Sequence, residues 1–327
     1  ILVCVTILQA LMNPIASLVL IRMNGGTAMM RILGIVGVQI CICVPIIVFQ
    51  FCKGKEFFSK EYWGYALRIG IPIVPHYLSG IILNQGDRIM IDKMVGKTEV
   101  ALYGLAYSIG MLVQLFISGM NSALTPWMYS KIKKGDIRSM RKVLQLLSIV
   151  VVGIAVALML ISPELVLIFG SPKYHEAVYV IPPVAASVFF IFIYNILSMP
   201  QFYYEKTQFL MAASMAAAGA NVVLNFIFIH LFGYIAAGYT TLACYMLYSV
   251  GHYIVSKRIL VNEGIQENLM NPGFLLACSV FLIGASIICN LIFPYRILRY
   301  AILLASAGLV FWKKELLLKT MADIRKK

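Results

Sequence analysis

Charge is what this 327-residue sequence has least of: Asp, Glu, Lys and Arg together make up 12% of it, and only 13 residues are acidic. Soluble domains carry about 25% charged residues, so a chain wrapped in a water-facing surface is excluded. The stretch 207–256 contains no Asp, Glu, Lys or Arg at all. Also missing are a CxxC pair and any Cys/His spacing suited to zinc, which leaves no thiol-based metal motif. Apolar runs are continuous rather than alternating, so a β-barrel is excluded. No connection between them could fold into an external domain; the longest lie near 128–142 and 257–271. That argues against a membrane enzyme working through large loops. Finally, the sequence starts at Ile1 in mid-run, without an initiator Met or a signal-peptide n-region, and an N-terminally truncated chain is expected.

What is present is apolar. Hydrophobic residues account for 61% of the chain, and the mean hydropathy is +0.89. A span takes about 20 apolar residues at a rise of about 1.5 Å each. The fold class is therefore all-α, a polytopic membrane helical bundle. Ten spans are expected near 1–21, 32–52, 64–95, 98–127, 143–162, 177–199, 208–231, 234–256, 272–293 and 296–312. The uncharged 207–256 stretch is too long for one span and breaks at His230-Leu231-Phe232-Gly233 into a tight helical hairpin. Cys4, Cys41, Cys43, Cys52, Cys244, Cys278 and Cys289 all fall in apolar runs and read as small core or lipid-facing residues. Pro14, Pro45, Pro72, Pro75, Pro182 and Pro183 fall inside spans; Pro72 and Pro75 read as a bend, a transporter habit. The small residues at 212–220 and 236–238 read as close helix packing.

A net charge of +14 could mean nucleic acid, but the bases sit in loops between spans. Lys53, Lys55, Lys60, then the 131–142 cluster, Lys206, Lys257, Arg258 and the six bases after residue 312 fall on one side. Arg22, Arg31, Arg88, Lys93, Lys97, Lys173, Arg296 and Arg299 fall on the other. The larger set marks the cytoplasm, which gives a multi-pass protein with a cytoplasmic C-terminus and no nucleic-acid partner. The 131–142 loop reads either as an anionic-lipid anchor or as a first capture point for acidic head groups. Trp63, Trp127 and Trp312 fall at span ends, as interfacial belt residues do.

The most informative stretch is 62–96, apolar through 69–83 and then carrying Asp87, Arg88, Asp92 and Lys93 with no loop between. Ionisable groups at membrane depth are costly and face a protein interior or a wet cavity. Snorkelling at the outer interface is the plainer alternative. Arg68 lies near the other end of the same helix, and His76 stands alone in its apolar half, either packed as a neutral ring or proton-responsive. Asn84, Gln85, Gln114, Asn121, Asn195, Asn221 and Asn225 are amides within spans, with Asn221 and Asn225 on one helix face. Such amides bond between helices by default. Tyr103, Tyr107 and Tyr194 lie within spans too, and Tyr203 and Tyr204 just beyond one.

These blocks have a family likeness. IGIPIVPHYLSGIILNQGDRIMIDKMVG (69–96), VALYGLAYSIGM (100–111) and NSALTPWMYSKIKKGD (121–136) resemble bacterial polysaccharide and O-antigen flippases, the Wzx-type branch of the MOP superfamily that also holds the MATE transporters. YYEKT (203–207) and ANVVLNFIFIHLFGYIAAGYTTLACY (220–245) resemble that family's eleventh and twelfth helices. The resemblance implies a MATE-like fold of two six-helix lobes around a cavity, with two added helices. Residues 1–56 would be the last two helices of the first lobe, 57–262 the complete second lobe, and 263–327 the extra pair and basic tail. The first four helices would be missing.

The resemblance further implies a transporter, not an enzyme. Its cargo would be an undecaprenyl-pyrophosphate-linked oligosaccharide, flipped across the bacterial inner membrane for O-antigen, capsule or exopolysaccharide synthesis. Other polysaccharide-assembly proteins and membrane lipids are the further partners implied, and no cofactor or metal is called for. Arg88 is the candidate pyrophosphate contact, since a guanidinium binds phosphate oxygens in bidentate fashion. Asp87 and Asp92 would hold it in the empty state or carry coupling protons. Asn84, Tyr107, Asn121, Asn221 and Asn225 are candidate sugar contacts, and Arg68 and His76 complete the candidate cavity set. A MATE-like cation or drug antiporter is the alternative, with a membrane polymerase or glycosyltransferase behind it.

Overall fold

A computed structural model describes residues 2–23, 27–55 and 58–312. Every regular element in them is helical. In order these are α1 (Leu2–Met23), α2 (Ala28–Gly54), α3 (Lys60–Met94), α4 (Lys97–Gly110), α5 (Leu112–Lys133) and α6 (Ile137–Phe169). A 3-10 helix over Pro172–Val180 precedes α7 (Ile181–Tyr203), and α8 (Thr207–Phe232), α9 (Ile235–Asn262), α10 (Pro272–Ile292) and α11 (Arg296–Trp312) follow. Each of the ten expected spans has its helix or helix pair. Eight are long and apolar enough to cross a membrane on that criterion alone. The other two are α9, whose polar stripe is described below, and α11, which is 17 residues long. The basic tail after residue 312 and the side chains of Cys4 and Trp312 lie outside the described residues.

The chain divides into two compact units, Ile1–Arg68 and Ile69–Lys327. In the first, α1 packs on α2 at a place where no side chain fits between the backbones. A Cβ on Gly34 would come within 2.7 Å of the Ser17 backbone. The Ser17 hydroxyl donates to Asn13 O at 2.7 Å and reaches Arg31 O at 3.3 Å, so the contact is closed by polar as well as apolar atoms. Most large apolar side chains of this pair are exposed, including Leu11, Leu18, Ile40 and Phe49, as expected of surface that meets lipid rather than water.

The second unit is organised around α7. From Ile181 to Ile193 every residue is buried, because α7 is packed by α9, α6, α5, α4 and α10. A helix apolar on all faces belongs in such a centre. Its start explains the Pro182-Pro183 pair: both occupy the first turn, where a missing N–H costs nothing, so they begin this helix rather than bend it. Small residues bring its neighbours close. A Cβ on Gly110 of α4 would lie 2.6 Å from Val184 Cγ1, and one on Gly238 of α9 3.1 Å from Pro183 Cγ.

Connections are tight. The hairpin expected at 230–233 is there: α8 ends at Phe232, Gly233 turns the chain with φ 73°, a conformation glycine adopts without a Cβ clash, and α9 begins at Ile235. Two expected single spans are built differently. The 98–127 span is α4 and α5, separated at Met111, where Gln114 N bonds to Met111 O three residues back. The 177–199 span opens with the 3-10 helix. Asp136 caps α6 by accepting from Ser139 N, and Asn271 caps α10 by accepting from Gly273 N and Phe274 N.

Loop charges are more engaged than the sequence suggests. Lys131 is buried and pairs with Asp136 at 2.8 Å. Arg138 and Arg141 both turn to Glu267, at 3.3 and 3.9 Å, and Arg141 Nε donates to Asn268 O at 2.7 Å. The expected 131–142 loop is in fact a short turn at 134–136 between helix ends: Lys131 closes it from α5, and Arg138 and Arg141, in the first turns of α6, hold that helix to the linker before α10. Arg299, counted above among outer loop bases, is 3% exposed and lies in the first turn of α11. Its Nη1 and Nη2 donate to Glu164 of α6, each at 2.8 Å, and Nη1 also to Leu160 O at 2.7 Å.

Candidate functional site

Asp87 is the hub. It points from α3 into the second unit and is 0% exposed. Its Oδ2 accepts from Tyr103 Oη at 2.5 Å and Thr241 Oγ1 at 2.7 Å; its Oδ1 accepts from Asn225 Nδ2 at 2.5 Å. Four helices thus meet on one carboxyl group: α3, α4, α8 and α9. Asn225 Nδ2 also reaches Asn221 Oδ1 at 3.2 Å, and Thr240 Oγ1 donates to Asn225 Oδ1. Both asparagines are fully buried, and they share a face because they are four residues apart on α8. None of the three groups donating to Asp87 carries a charge.

One turn nearer the chain's start, Asn84 Oδ1 accepts from Tyr107 Oη at 2.7 Å and Tyr245 Oη at 3.3 Å. Beyond it lies an aromatic layer. Tyr194 of α7 stacks on Tyr245 and Tyr248 of α9, with ring centroids at 6.3 and 4.5 Å. Tyr248 Oη lies 3.1 Å from His76 Nδ1, and His252 Nδ1 lies 2.8 Å from Gln201 Nε2. This layer, like the hub, joins α3 to α9 through polar atoms.

Arg88 follows Asp87 but occupies another face, since successive helix residues are about 100° apart. It is half-buried. Its Nη1 donates to Gln85 Oε1 at 2.5 Å, and the guanidinium lies over the Tyr107 ring, 5.0 Å from its centroid. Its Nε has no hydrogen-bond partner. Arg88 is therefore held by a neutral amide and a π face, with bonding capacity unspent.

The fold brings Asn84, Asp87, Arg88, Tyr107, Asn221 and Asn225 together, with His76 at the far end of the aromatic layer. Asp92 is exposed, and Arg68 is exposed within the first unit. Asn121 is half-buried on α5 with Oδ1 unpartnered. The sequence reading missed Thr240, Thr241, Tyr245, Tyr248, His252 and Gln201. A signal existed: Thr241, Tyr245, Tyr248 and His252 are spaced 4, 3 and 4 apart, a one-face stripe within the stretch 207–256 that has no Asp, Glu, Lys or Arg. What the arrangement can do is clear in kind. A dry carboxyl group ringed by two hydroxyls and an amide N–H can take up and release a proton. The neighbouring guanidinium can meet an anion.

Comparison with known proteins agrees. Residues 1–133 match the profile of the polysaccharide biosynthesis protein family, and residues 72–227 match the MatE family. Two proteins of Haemophilus influenzae are similar. One belongs to the Lsg locus and is 29% identical over 172 residues, covering 49% of this chain and 41% of that protein. The other, named as an uncharacterized membrane protein, is 29% identical over 168 residues, covering 48% of this chain and 40% of its own length. The chain thus matches less than half the length of either relative. No solved structure matches significantly. The two profiles overlap over 72–133, from α3 through α5, and together cover residues 1–227, which bears out the likeness to Wzx-type members of the MOP superfamily.

Proposed function

We propose, from this kinship with the polysaccharide-transport branch of the MOP superfamily, that the chain belongs to a transporter that flips an undecaprenyl-pyrophosphate-linked oligosaccharide by alternating access. It works in the bacterial inner membrane with its C-terminus in the cytoplasm, serving O-antigen, capsule or exopolysaccharide synthesis, and breaks no covalent bond. In this reading 57–262 form the second lobe, with 263–327 appended to it. The observation that supports it most is the pairing of roles on one turn of α3. Arg88, half-buried and held only by a neutral amide and the Tyr107 ring rather than by a carboxylate, suits an arriving diphosphate. Asp87, dry and ringed by neutral donors, suits the coupling ion.

The division of labour is physical. A cation or proton on Asp87 neutralises the only acidic side chain in the hub, and Asn225 and Thr241 then redistribute their bonds. Because those residues belong to α8 and α9, the bound state of Asp87 bears on how α3 packs. Half-buried Arg88 moves with it, so head-group affinity and ion occupancy are linked.

Deleting the gene is expected to leave the lipid-linked glycan on the cytoplasmic face of the inner membrane, read by surface-glycan blotting and by protease-free labelling of intact spheroplasts. Unchanged export in a clean deletion strain would overturn the proposal. The MATE-like antiporter reading keeps one point in its favour, the oxygen-rich hub at Asp87. It predicts a change in drug susceptibility of the same strain with glycan export intact.

A further inference from the structure

A groove runs along the outside of the second unit between α7, α9 and α10. Its volume is about 260 Å³, and its walls are almost wholly apolar, with Phe190 and Ile193 at one end and Tyr253, Pro272 and Leu276 towards the other. Phe190 and Ile193 lie in the middle of α7, whereas Tyr253 is in the last turns of α9 and Pro272 opens α10. The groove therefore runs from mid-membrane depth to the membrane face that carries the 131–142 and 257–271 connections. Leu276 and Val250 on its walls are 66% and 54% exposed, so it opens sideways, to lipid.

Its polar end is cationic. Arg141 is anchored close before the start of α10, its Nε donating to Asn268 O at 2.7 Å, four residues ahead of Pro272 in the groove wall. Arg138 and Arg141 share one carboxylate, that of Glu267. Two guanidiniums on one carboxylate leave an excess positive charge, and the Arg138 side chain is 79% exposed. An apolar slot that ends beneath shared guanidiniums is complementary to a molecule with a hydrocarbon chain and an anionic head.

We infer that this groove is a binding site for an anionic phospholipid of the adjoining leaflet, one acyl chain lying between α7, α9 and α10 and its phosphate meeting Arg138 and Arg141. The occupant braces the appended α10 against the lobe and replaces water at the exposed side of the Glu267 pair. The site is separate from Arg88 and does not depend on which cargo is carried.

The test uses the whole protein in nanodiscs of defined lipid, followed by native mass spectrometry of the released complex. With equal phosphatidylglycerol and phosphatidylcholine supplied, at least about tenfold preferential retention of phosphatidylglycerol is expected. Leu276→Trp, which fills the slot from its exposed wall, is expected to reduce retention several-fold. Arg138→Gln with Arg141→Gln is expected to abolish the head-group preference while leaving some chain binding. Equal retention of both lipids, or retention indifferent to Leu276→Trp, overturns the inference. So does displacement of phosphatidylglycerol by undecaprenyl phosphate at equal concentration, which would make the groove a cargo-tail site.

Discussion

Two buried charges in the second unit have opposite surroundings. Arg299 meets Glu164 in a two-point ion pair, and a third bond goes to Leu160 O. Asp87 meets Tyr103, Thr241 and Asn225, none of them ionised. Both sites join helices distant in sequence, yet only the first is electrically complete. A completed pair can hold α11 to α6 without any further partner. A carboxyl group that gathers neutral donors from three other helices has its hydrogen bonds met but its charge unbalanced. The contrast sets a paired charge against one met by neutral donors alone, and the proposed working role of the second can be tested by substitution.

The largest effect is expected where the charge is complete. Glu164→Gln leaves a nearly inaccessible guanidinium without its counter-ion, and breaking such a pair costs about 3–5 kcal/mol. Thermal unfolding in detergent should fall accordingly. Glu164→Leu combined with Arg299→Met should regain most of the loss, since an apolar replacement of similar volume is often neutral or stabilising. A single variant that melts with the parent would remove the structural half of the contrast.

Asp87→Asn should behave the other way round. An amide fills the same space and keeps at least part of the bonding, so melting should stay within about 1 kcal/mol of the parent. Glycan export, measured in a deletion strain carrying the variant, should drop by at least about tenfold, the equivalent of one lost charge-assisted bond. Arg88→Ala should lower export to a similar degree and Arg88→Lys less, because a lysine keeps charge but loses the planar fork. Should Asp87→Asn unfold the protein while Glu164→Gln leaves it intact, the roles are reversed.

How much of this was readable beforehand differs between the fold and the site. Span order, the 230–233 hairpin and the helical class follow from uncharged runs, because lipid imposes one structural solution on them. The break at Met111 and the 3-10 turn before α7 do not, since both are local adjustments inside apolar sequence that hydropathy averages away. Arg88 and Asp87 stand out as charges in a span. Their partners do not: a Thr or Tyr in α9 is unremarkable until a neighbouring helix supplies the carboxylate. Arg299 was misplaced for the same reason. Proximity to a span end made it look like a loop base, and only the position of Glu164 on α6 makes it a buried one. Sequence marks which residues are expensive in a membrane; tertiary packing decides what compensates them.

Smaller effects grade the hub. Thr241→Val and Tyr103→Phe each remove one donor from Asp87 and leave the carboxyl group otherwise in place. Each should weaken the ionised state by about 1.5–3 kcal/mol, read as a leftward shift in the ion concentration needed for half-maximal export, because a less stabilised carboxylate takes up a proton or cation more readily. Both should leave melting little changed. Both hydroxyls donate to Oδ2, so shifts in opposite directions would show that one of them holds the ion rather than only stabilising the carboxylate.

The smallest effect is expected at the other acid on the same rod. Asp92 lies five residues beyond Asp87, about 140° around the helix at 3.6 residues per turn, and is exposed. It sits four residues from Arg88, a spacing that allows a pair, yet Arg88 turns to Gln85 and Tyr107 instead. Asp92→Asn should therefore change stability by less than about 0.5 kcal/mol and leave export at the parental level. An Asp92→Asn strain that exports as poorly as Asp87→Asn would show that exposure does not set these two acids apart. The working charge would then be shared along α3 rather than enclosed at the four-helix junction.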